Sequence, residues 1–260
     1  MTIDREHAAR IVASTLAAEA CCSPDLFARA GVHLSEVTPG ETGDPLKRRF
    51  PQPEQSLAIT AIGVGVVVSA TPKWMPWVSE LFRGVEPGDA FNLELLGETS
   101  MRVAHDSCRL YGPYLYSITS SLDLRARQTP DGYSVELGDA ALVRSLDPHH
   151  WPNALPPRAL RQDLNGTITA VAVHRQAIVG VATAPEDSDL LWQIGLDVHA
   201  DHRGRGLGAA LTSRVAAEVL RQGVVPYYGT TVENVISRRT AQSAGFYPYW
   251  TAAFTKARAE

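Results

Sequence analysis

Two apolar segments flank a glycine-rich stretch in the C-terminal half of the chain. Residues 190–198 are mostly apolar, which predicts a buried strand. From Leu207 onward, apolar residues recur every four positions and therefore share one face of a helix. They are Leu207, Leu211, Val215 and Val219. Gly223 follows the last of them, and glycine commonly ends a helix. The pattern predicts a strand, a glycine-rich turn and a helix, in that order.

The turn carries Gly204, Gly206 and Gly208 at alternate positions. The first N–H groups of the following helix have no partner inside the helix, and the helix dipole places partial positive charge beside them. Glycines let a ligand approach this backbone without meeting a Cβ atom. Arg203 and Arg205 add positive charge at the same place. The stretch therefore predicts a phosphate-binding loop.

Periodicity, capping residues and turn signals predict the remaining elements. The predicted helices cover residues 4–20, 25–30, 71–82, 91–96 with 101–110 after an interruption at Gly97, 139–146 and 158–164. The predicted strands cover residues 57–70 (one bent strand or two short ones), 114–118, 133–137, 167–174, 177–184 and 225–231. Arg175 and Gln176 are predicted to form a tight hairpin turn, and residues 38–53 a proline-rich loop. Trp74 and Trp77 are predicted to be core residues.

Two motifs in this half of the chain occur in the order of a known family. Arg203-x-x-Gly206-x-Gly208 resembles the acyl-CoA pyrophosphate loop of the GNAT superfamily of N-acetyltransferases. One helix and one strand later, a segment begins at Asn234 and ends in Gly245-Phe246. It resembles the helix that closes the CoA site in that family. The resemblance covers roughly residues 130–256, about half of the chain.

The resemblance implies acetyl-CoA as co-substrate and no metal. The residues that it implies in acetyl-CoA binding are Leu196, Val198, Arg203, Gly204, Arg205, Gly206, Leu207, Gly208, Ala209, Asn234 and Ser237. The pantetheine arm would lie along residues 196–198, like an added strand. Gly195 predicts a bulge there, and a bulge leaves an N–H unpaired. By position, the Val198 N–H is the expected oxyanion donor, while Asn234 also suits a plain helix cap.

The proton route is less defined than the binding loop. Many members of the family place a tyrosine four residues before the glycine of the Gly-Phe pair, but this chain has Ala241 there. Ser237 or Tyr247 could protonate the leaving thiolate instead. Asp197 and Glu233 are candidate general bases at strand ends, where acidic residues also serve as solvated charges or caps. Water could also accept the proton of the amine.

Two other functions remain open at this point. Gly204-x-Gly206-x-x-Ala209 also fits a dinucleotide-binding fingerprint, with Glu233 as a candidate ribose ligand. Residues 199–203 oppose this interpretation, because the fingerprint normally follows its strand directly. Ala241 motivates the second alternative, a CoA-binding sensor or pseudoenzyme without transfer activity.

Composition and charge bound the function further. The chain has 260 residues, is 45% hydrophobic and carries a formal net charge of −4, which gives no electrostatic case for nucleic-acid binding. The longest apolar run, residues 57–70, is too short to span a bilayer. Cys21, Cys22 and Cys108 are an odd number and do not suggest a disulfide framework. With no signal-peptide pattern at the start, these features predict a cytoplasmic protein without a membrane partner.

The predicted fold class is α/β (α+β), with a GNAT-like mixed central sheet and flanking helices, preceded by a smaller α/β N-terminal domain. Turn chemistry in residues 127–132 places the boundary between predicted domains 1–128 and 129–260. The expected activity is direct transfer of an acetyl group from acetyl-CoA to an amine of a small molecule or protein. Residues 1–128, with residues 151–153, are expected to shape the acceptor site. A homodimer is left open.

Overall fold

The computed structural model describes residues 2–38, 44–49, 55–155 and 166–258. The α-helices in these residues are α1 (Arg5–Glu19), α2 (Asp25–Ala28), α3 (Met75–Leu81), α4 (Leu93–Ala104), α5 (Ala140–Ser145), α6 (Leu207–Arg221) and α7 (Val235–Ser243). The strands are β1 (Gly31–Glu36), β2 (Leu57–Ile62), β3 (Gly65–Ala70), β4 (Cys108–Ile118), β5 (Ser134–Gly138), β6 (Ile168–His174), β7 (Ala177–Ala184), β8 (Leu191–Gln193), β9 (Gly195–Val198), β10 (Val225–Thr231) and β11 (Tyr247–Ala257).

Contacts divide the chain into two compact units. The first unit comprises Met1–Ala9, Ser117–Thr230 and Asn234–Pro248, and the second comprises Arg10–Tyr116, Thr231–Glu233 and Tyr249–Glu260. These units are assembled from separate stretches, whereas the predicted domains 1–128 and 129–260 are continuous segments. The predicted boundary divides the chain into domains that would each fold independently, which the two contact-based units do not test. The boundary therefore stays a prediction.

In the first unit, helix α6 packs its apolar face on an antiparallel sheet. The sheet has the strand order β5-β6-β7-β9. The face predicted from periodicity is buried in one core cluster together with residues of β6 and β7. Its members are Leu207, Leu211, Val215 and Val219. The predicted helix and its orientation are therefore confirmed.

The hairpin between β6 and β7 turns through Arg175 and Gln176. Both residues have positive φ, 48° and 67°, which is the requirement of a type I′ turn. This backbone twist matches that of the flanking antiparallel strands, so the predicted tight hairpin is confirmed.

The segment predicted as one strand over residues 190–198 divides into β8 and β9. Strand β8 runs parallel to β10, with Leu191 opposite Val225, whereas β9 runs antiparallel to β7. The Ile194 N–H still donates to the Tyr227 carbonyl (2.8 Å), and the two strands part after it. At the break stands Gly195, where a Cβ atom would overlap the carbonyl oxygen of Asn153. The prediction of a continuous strand with a bulge is corrected to a change of pairing partner.

The second unit contains a mixed sheet covered by helices. In this sheet, β1 is parallel to β3, and β3 is antiparallel to β2. Strand β2 is antiparallel to β11, and β4 is the next strand in the order. Residues 57–70 form the second of the two predicted alternatives, a pair of short strands. Trp74 is buried in the core cluster, and Trp77 packs against it, as predicted.

Helix α4 differs from its prediction. It continues through Gly97, because an exposed glycine in a helix costs only about 1 kcal/mol against alanine and the buried side of the helix compensates. Its end was predicted too late, since Cys108 already begins β4. The predicted helix 158–164 lies outside the described residues, and the predicted loop 38–53 lies partly outside them. In the described part of the chain, no helix has the length and apolar character needed to cross a membrane.

Candidate active site

The glycine-rich turn links β9 to α6 through a short 3-10 helix, Ala200–His202. Gly204 and Gly206 have φ of +74° and +89°, in the left-handed region that glycine adopts without strain. A Cβ atom at either position would meet nothing within 4 Å. The backbone conformation therefore requires these two glycines, and the space beside them is open on the described chain.

The third glycine serves close packing. A Cβ atom on Gly208 would lie 3.1 Å from Thr240 Cγ2 and 3.2 Å from Leu196 Cδ2. Gly208 thus stands where the start of α6, the side of α7 and strand β9 meet. All three elements of the predicted CoA site are brought together at this point.

The N-terminus of α6 presents unpaired backbone donors. No described side chain caps it, since Gly206 occupies the cap position, and the first bond of the helix is Ala210 N–H to Gly206 carbonyl (3.1 Å). The N–H groups of Leu207, Gly208 and Ala209 therefore have no acceptor inside the helix. Together with the helix dipole, they suit an anionic group such as phosphate.

Arg203 connects this loop to the strand before it. Its Nε donates a 2.8 Å hydrogen bond to the carbonyl of Val198. A guanidinium group has five N–H donors, so the bond to Val198 leaves the terminal nitrogens of this exposed side chain as donors beside the loop. Arg205 is also exposed. The two arginines lie in the loop that leads into the N-terminus of α6, and their role in phosphate binding stays a prediction.

Strand β9 has one edge that is not paired with β7. Asp197 lies opposite Val181, and the His199 N–H donates to the Val179 carbonyl (2.9 Å). Because hydrogen-bonded positions alternate along an antiparallel pair, residues 195, 197 and 199 face β7 with their backbone groups. The N–H groups of Leu196 and Val198 consequently point to the other edge, towards the gap that opens where β9 leaves β10.

Asp197 is engaged with the turn that contains Asn153. Its Oδ2 accepts from the N–H groups of Asn153 (2.7 Å) and Ala154 (2.8 Å), and its Oδ1 accepts from the Asn153 side-chain amide (2.7 Å). Both carboxylate oxygens therefore hold the turn in place. This geometry favours a structural role for Asp197 over the predicted general base.

Helix α7 begins at Asn234, as the sequence suggests. The Asn234 Oδ1 accepts from the Ser237 N–H (3.1 Å), which is the standard side-chain cap. The Ser237 hydroxyl lies 3.0 Å from the hydroxyl of Tyr228 on β10. Tyr228 was missed by the sequence analysis, because a tyrosine in a strand carries no signal of its partner. Burial raises the pKa of Tyr228, so its phenol stays protonated.

The sequence also singled out Glu233, Tyr247 and Ala241. Glu233 belongs to the second unit, so its role as a general base stays a prediction. Tyr247 lies under the guanidinium of Arg5, which is 5.1 Å from the ring centre. Ala241 is 1% exposed and sits in the core cluster with Tyr228. Among the described residues, no group of three or more His, Cys, Asp or Glu side chains could hold a metal ion.

The dinucleotide alternative conflicts with the strand pairing. A dinucleotide-binding fingerprint follows a central strand of a parallel sheet. Here the strand before the glycines, β9, ends an antiparallel sheet and pairs with β7 alone in that sheet. The fingerprint match is therefore a coincidence of glycine spacing.

Comparison with known proteins agrees with the motifs. Residues 139–246 match the model of the Acetyltransferase (GNAT) family. These residues form a GNAT domain. The match contains the antiparallel sheet from β6 onward, the glycine-rich loop and helix α7 up to Gly245-Phe246. The family assignment suggested by the two motifs is confirmed for the C-terminal half.

Solved structures extend the likeness in fold. A GCN5-related N-acetyltransferase from Kribbella flavida has 14% identity and a TM-score of 0.52, with 97% of this chain and 96% of that chain covered. A GCN5-related N-acetyltransferase-like protein from Streptococcus suis has 17% identity, coverage of 72% and 70%, and a TM-score of 0.46. A protein from Salmonella typhimurium, solved with its cofactor acetyl-CoA, has 20% identity, coverage of 50% and 96%, and a TM-score of 0.37.

The Kribbella flavida structure shows a shared fold over nearly the whole chain. No curated protein matches the sequence. The predicted mixed α/β fold with flanking helices is confirmed, and the family that residues 139–246 match is one of acetyltransferases.

Proposed function

We propose that the protein is an acetyl-CoA-dependent N-acetyltransferase that transfers the acetyl group directly to an amine of a small molecule or a protein. One observation carries the proposal: after Ile194 the chain leaves β10 and continues as β9 beside the uncapped N-terminus of α6. An extended chain with a phosphate at one end fits such a gap. The pantetheine arm and pyrophosphate of CoA have this form.

The loop would hold the pyrophosphate. The N–H groups of Leu207, Gly208 and Ala209 supply oriented donors, and Arg203 and Arg205 supply charge. The pantetheine amide would pair with the outward backbone groups of Leu196, as an added strand pairs with a sheet edge. Holding the CoA arm at these two points fixes the thioester carbonyl beside the acceptor amine.

The Val198 N–H is the proposed oxyanion donor. It points away from β7 into the gap, and donors that are already oriented stabilise developing charge without reorganisation. The amine nitrogen attacks the thioester carbon and the carbon–sulfur bond breaks, with no acyl-enzyme. Because both carboxylate oxygens of Asp197 are bonded to the turn that contains Asn153, the proton of the amine goes to water.

The test is thiol release from acetyl-CoA in the presence of a mixed panel of small amines and lysine peptides. The proposal expects release that depends on an amine, with at least one acceptor acetylated by mass. The alternative, a CoA-binding sensor, is motivated by Ala241 in place of the family's tyrosine. It predicts acetyl-CoA binding without thiol release from any amine.

The cysteines support a proposed location in the cytoplasm. Cys21, Cys22 and Cys108 are free thiols. Burial raises the pKa of Cys22 to about 11, which keeps that thiol protonated and slow to oxidise. Free thiols persist in a reducing compartment.

A further inference from the structure

A pair of hydroxyl groups stands at the point where β9 and β10 part. Tyr227 is the last residue of β10 that pairs with β8, and Tyr228 follows it directly. Its hydroxyl lies 3.0 Å from the Ser237 Oγ on α7. The bond gives the buried Tyr228 hydroxyl a partner, and it is separate from the helix cap, which Asn234 makes through the Ser237 N–H.

One contact places the helix of this pair beside the unpaired edge of β9. The helix that carries Ser237 reaches β9 at Gly208, where Thr240 and Leu196 both approach the position of an added Cβ atom. Burial raises the pKa of the Tyr228 phenol, the hydrogen bond to Ser237 lowers it, and the charge of Asp197 on β9 raises it further. The hydroxyl pair therefore lies by the strand along which the acyl-CoA arm is proposed to run.

The surroundings of Tyr228 keep its phenol protonated. The side chain is 5% exposed, and its ring stands edge-on to Phe246 with centroids 6.2 Å apart. Burial raises the pKa of the phenol, so it is neutral and can donate to Ser237 or accept from it. When the phenol donates, the Ser237 hydroxyl hydrogen points to another acceptor.

Ser237 also lies where negative charge is favoured. It is in the first turn of α7, and the positive end of the helix dipole stabilises an anion there. Ala241, one turn further along, is buried in the cluster that contains Tyr228 and has no polar group. Of these side chains on the inner side of α7, Ser237 is the one that can donate to a ligand.

We propose that the Ser237 hydroxyl donates a hydrogen bond to the sulfur of CoA as the thiolate leaves, and that Tyr228 is the positioning residue that orients it. The inference rests on the proposed function. As the amine forms the carbon–nitrogen bond, the sulfur keeps the electron pair of the broken carbon–sulfur bond. The hydrogen bond stabilises that charge, the proton of the amine goes to solvent, and the thiolate later takes a proton from water.

The test is the thiol pKa of CoA bound to the protein, followed by the ultraviolet absorbance of the thiolate during a pH titration. This readout needs no acceptor amine. Ser237→Ala should raise the bound thiol pKa by about one pH unit or more, since a hydrogen bond to the charged form is lost. Tyr228→Phe should raise it in the same direction, and Ser237→Thr, which keeps a hydroxyl, should restore the parent value.

Tyr227→Phe is the matched control. It removes another buried phenol from the same strand, one that donates to Asp187 (2.8 Å) and Gln193 (3.1 Å). It should leave the bound thiol pKa unchanged. If CoA binds but Ser237→Ala has the same thiol pKa as the parent, the inference is overturned and the proposed function stands. If calorimetry detects no CoA binding to the parent, the proposed function fails and the inference fails with it.

Discussion

Asp197 holds Asn153 by two hydrogen bonds of 2.7 Å, one to the backbone N–H and one to the side-chain amide. Two residues earlier, Gly195 passes so close to the Asn153 carbonyl that a Cβ atom would not fit. The turn at residues 152–154 therefore contacts strand β9 at two places, through the hydrogen bonds of Asp197 and through the close approach of Gly195. This packing explains why a glycine stands at the point where the chain changes its pairing partner.

The first prediction concerns Asp197→Asn. The amide would place an N–H donor against the donors of Asn153 and Ala154, so the free energy of unfolding should fall by about 1–3 kcal/mol. Asp201→Asn, on the exposed 3-10 helix before the loop, should leave stability unchanged. Denaturant unfolding measures both. A loss of turnover of about 10²-fold with unchanged stability would instead assign Asp197 as the general base.

The second prediction concerns Arg203→Ala. Loss of a charge-assisted bond to the pyrophosphate should raise the Kd of CoA by about 10- to 100-fold. The Kd of dephospho-CoA should rise by the same factor, because this ligand keeps the pyrophosphate. Arg214→Ala, which removes an exposed charge from helix α6 after the loop, is the control and should bind CoA as the parent does. If Arg203→Ala weakens CoA but not dephospho-CoA, the arginine contacts the 3′-phosphate and has been placed wrongly.

The third prediction concerns Ala241→Tyr, which introduces the tyrosine of the family. Ala241 is 1% exposed and shares its cluster with Tyr228 and Phe246, so an added ring overpacks the core. The free energy of unfolding should fall by about 1–3 kcal/mol or more. Arg239→Tyr, on the exposed side of the same helix, should change stability by much less. Equal stabilities of the two variants would show that the site has room for the ring.

The fourth prediction is a pH dependence in the first unit. Arg5 donates to Asp123, and this bond is the main cause that lowers the pKa of the carboxyl group. The folded pKa lies below the unfolded value of about 3.9, so the stabilisation is present above that value and is lost as the pH falls through the folded pKa. The stability difference between the parent and Asp123→Asn should be constant above about pH 5 and shrink in acid. A difference that does not change with pH would contradict this.

Much of the first unit could be predicted from local patterns. The apolar spacing of α6, the turn at Arg175 and Gln176, and the cap at Asn234 each depend on neighbours in sequence, and each is present in the structure. The glycine-rich loop could also be predicted, since Gly204 and Gly206 adopt the positive φ that their residue type suggests.

What could not be predicted depends on contacts between distant residues. The need for glycine at position 195 follows from the carbonyl of Asn153, 42 positions away in the chain, and no local pattern encodes it. The hydroxyl of Tyr228 meets Ser237 only because β10 and α7 come together in the fold. The hydrogen bonds of Asp197 likewise depend on the distant turn that contains Asn153. The sequence alone does not reveal these bonds, so Asp197 was predicted as a candidate general base.

Calorimetric titration of acetyl-CoA into the parent and two glycine variants tests the central claim most directly. Gly206→Glu places a side chain and a negative charge in the proposed pyrophosphate seat, whereas Gly63→Glu alters another open, positive-φ glycine, φ +59°, in the turn between β2 and β3. Both substitutions impose similar backbone strain. The account predicts that the parent and Gly63→Glu bind acetyl-CoA with equal affinity and that folded Gly206→Glu shows no binding. Binding of acetyl-CoA by folded Gly206→Glu with the affinity of the parent would contradict it.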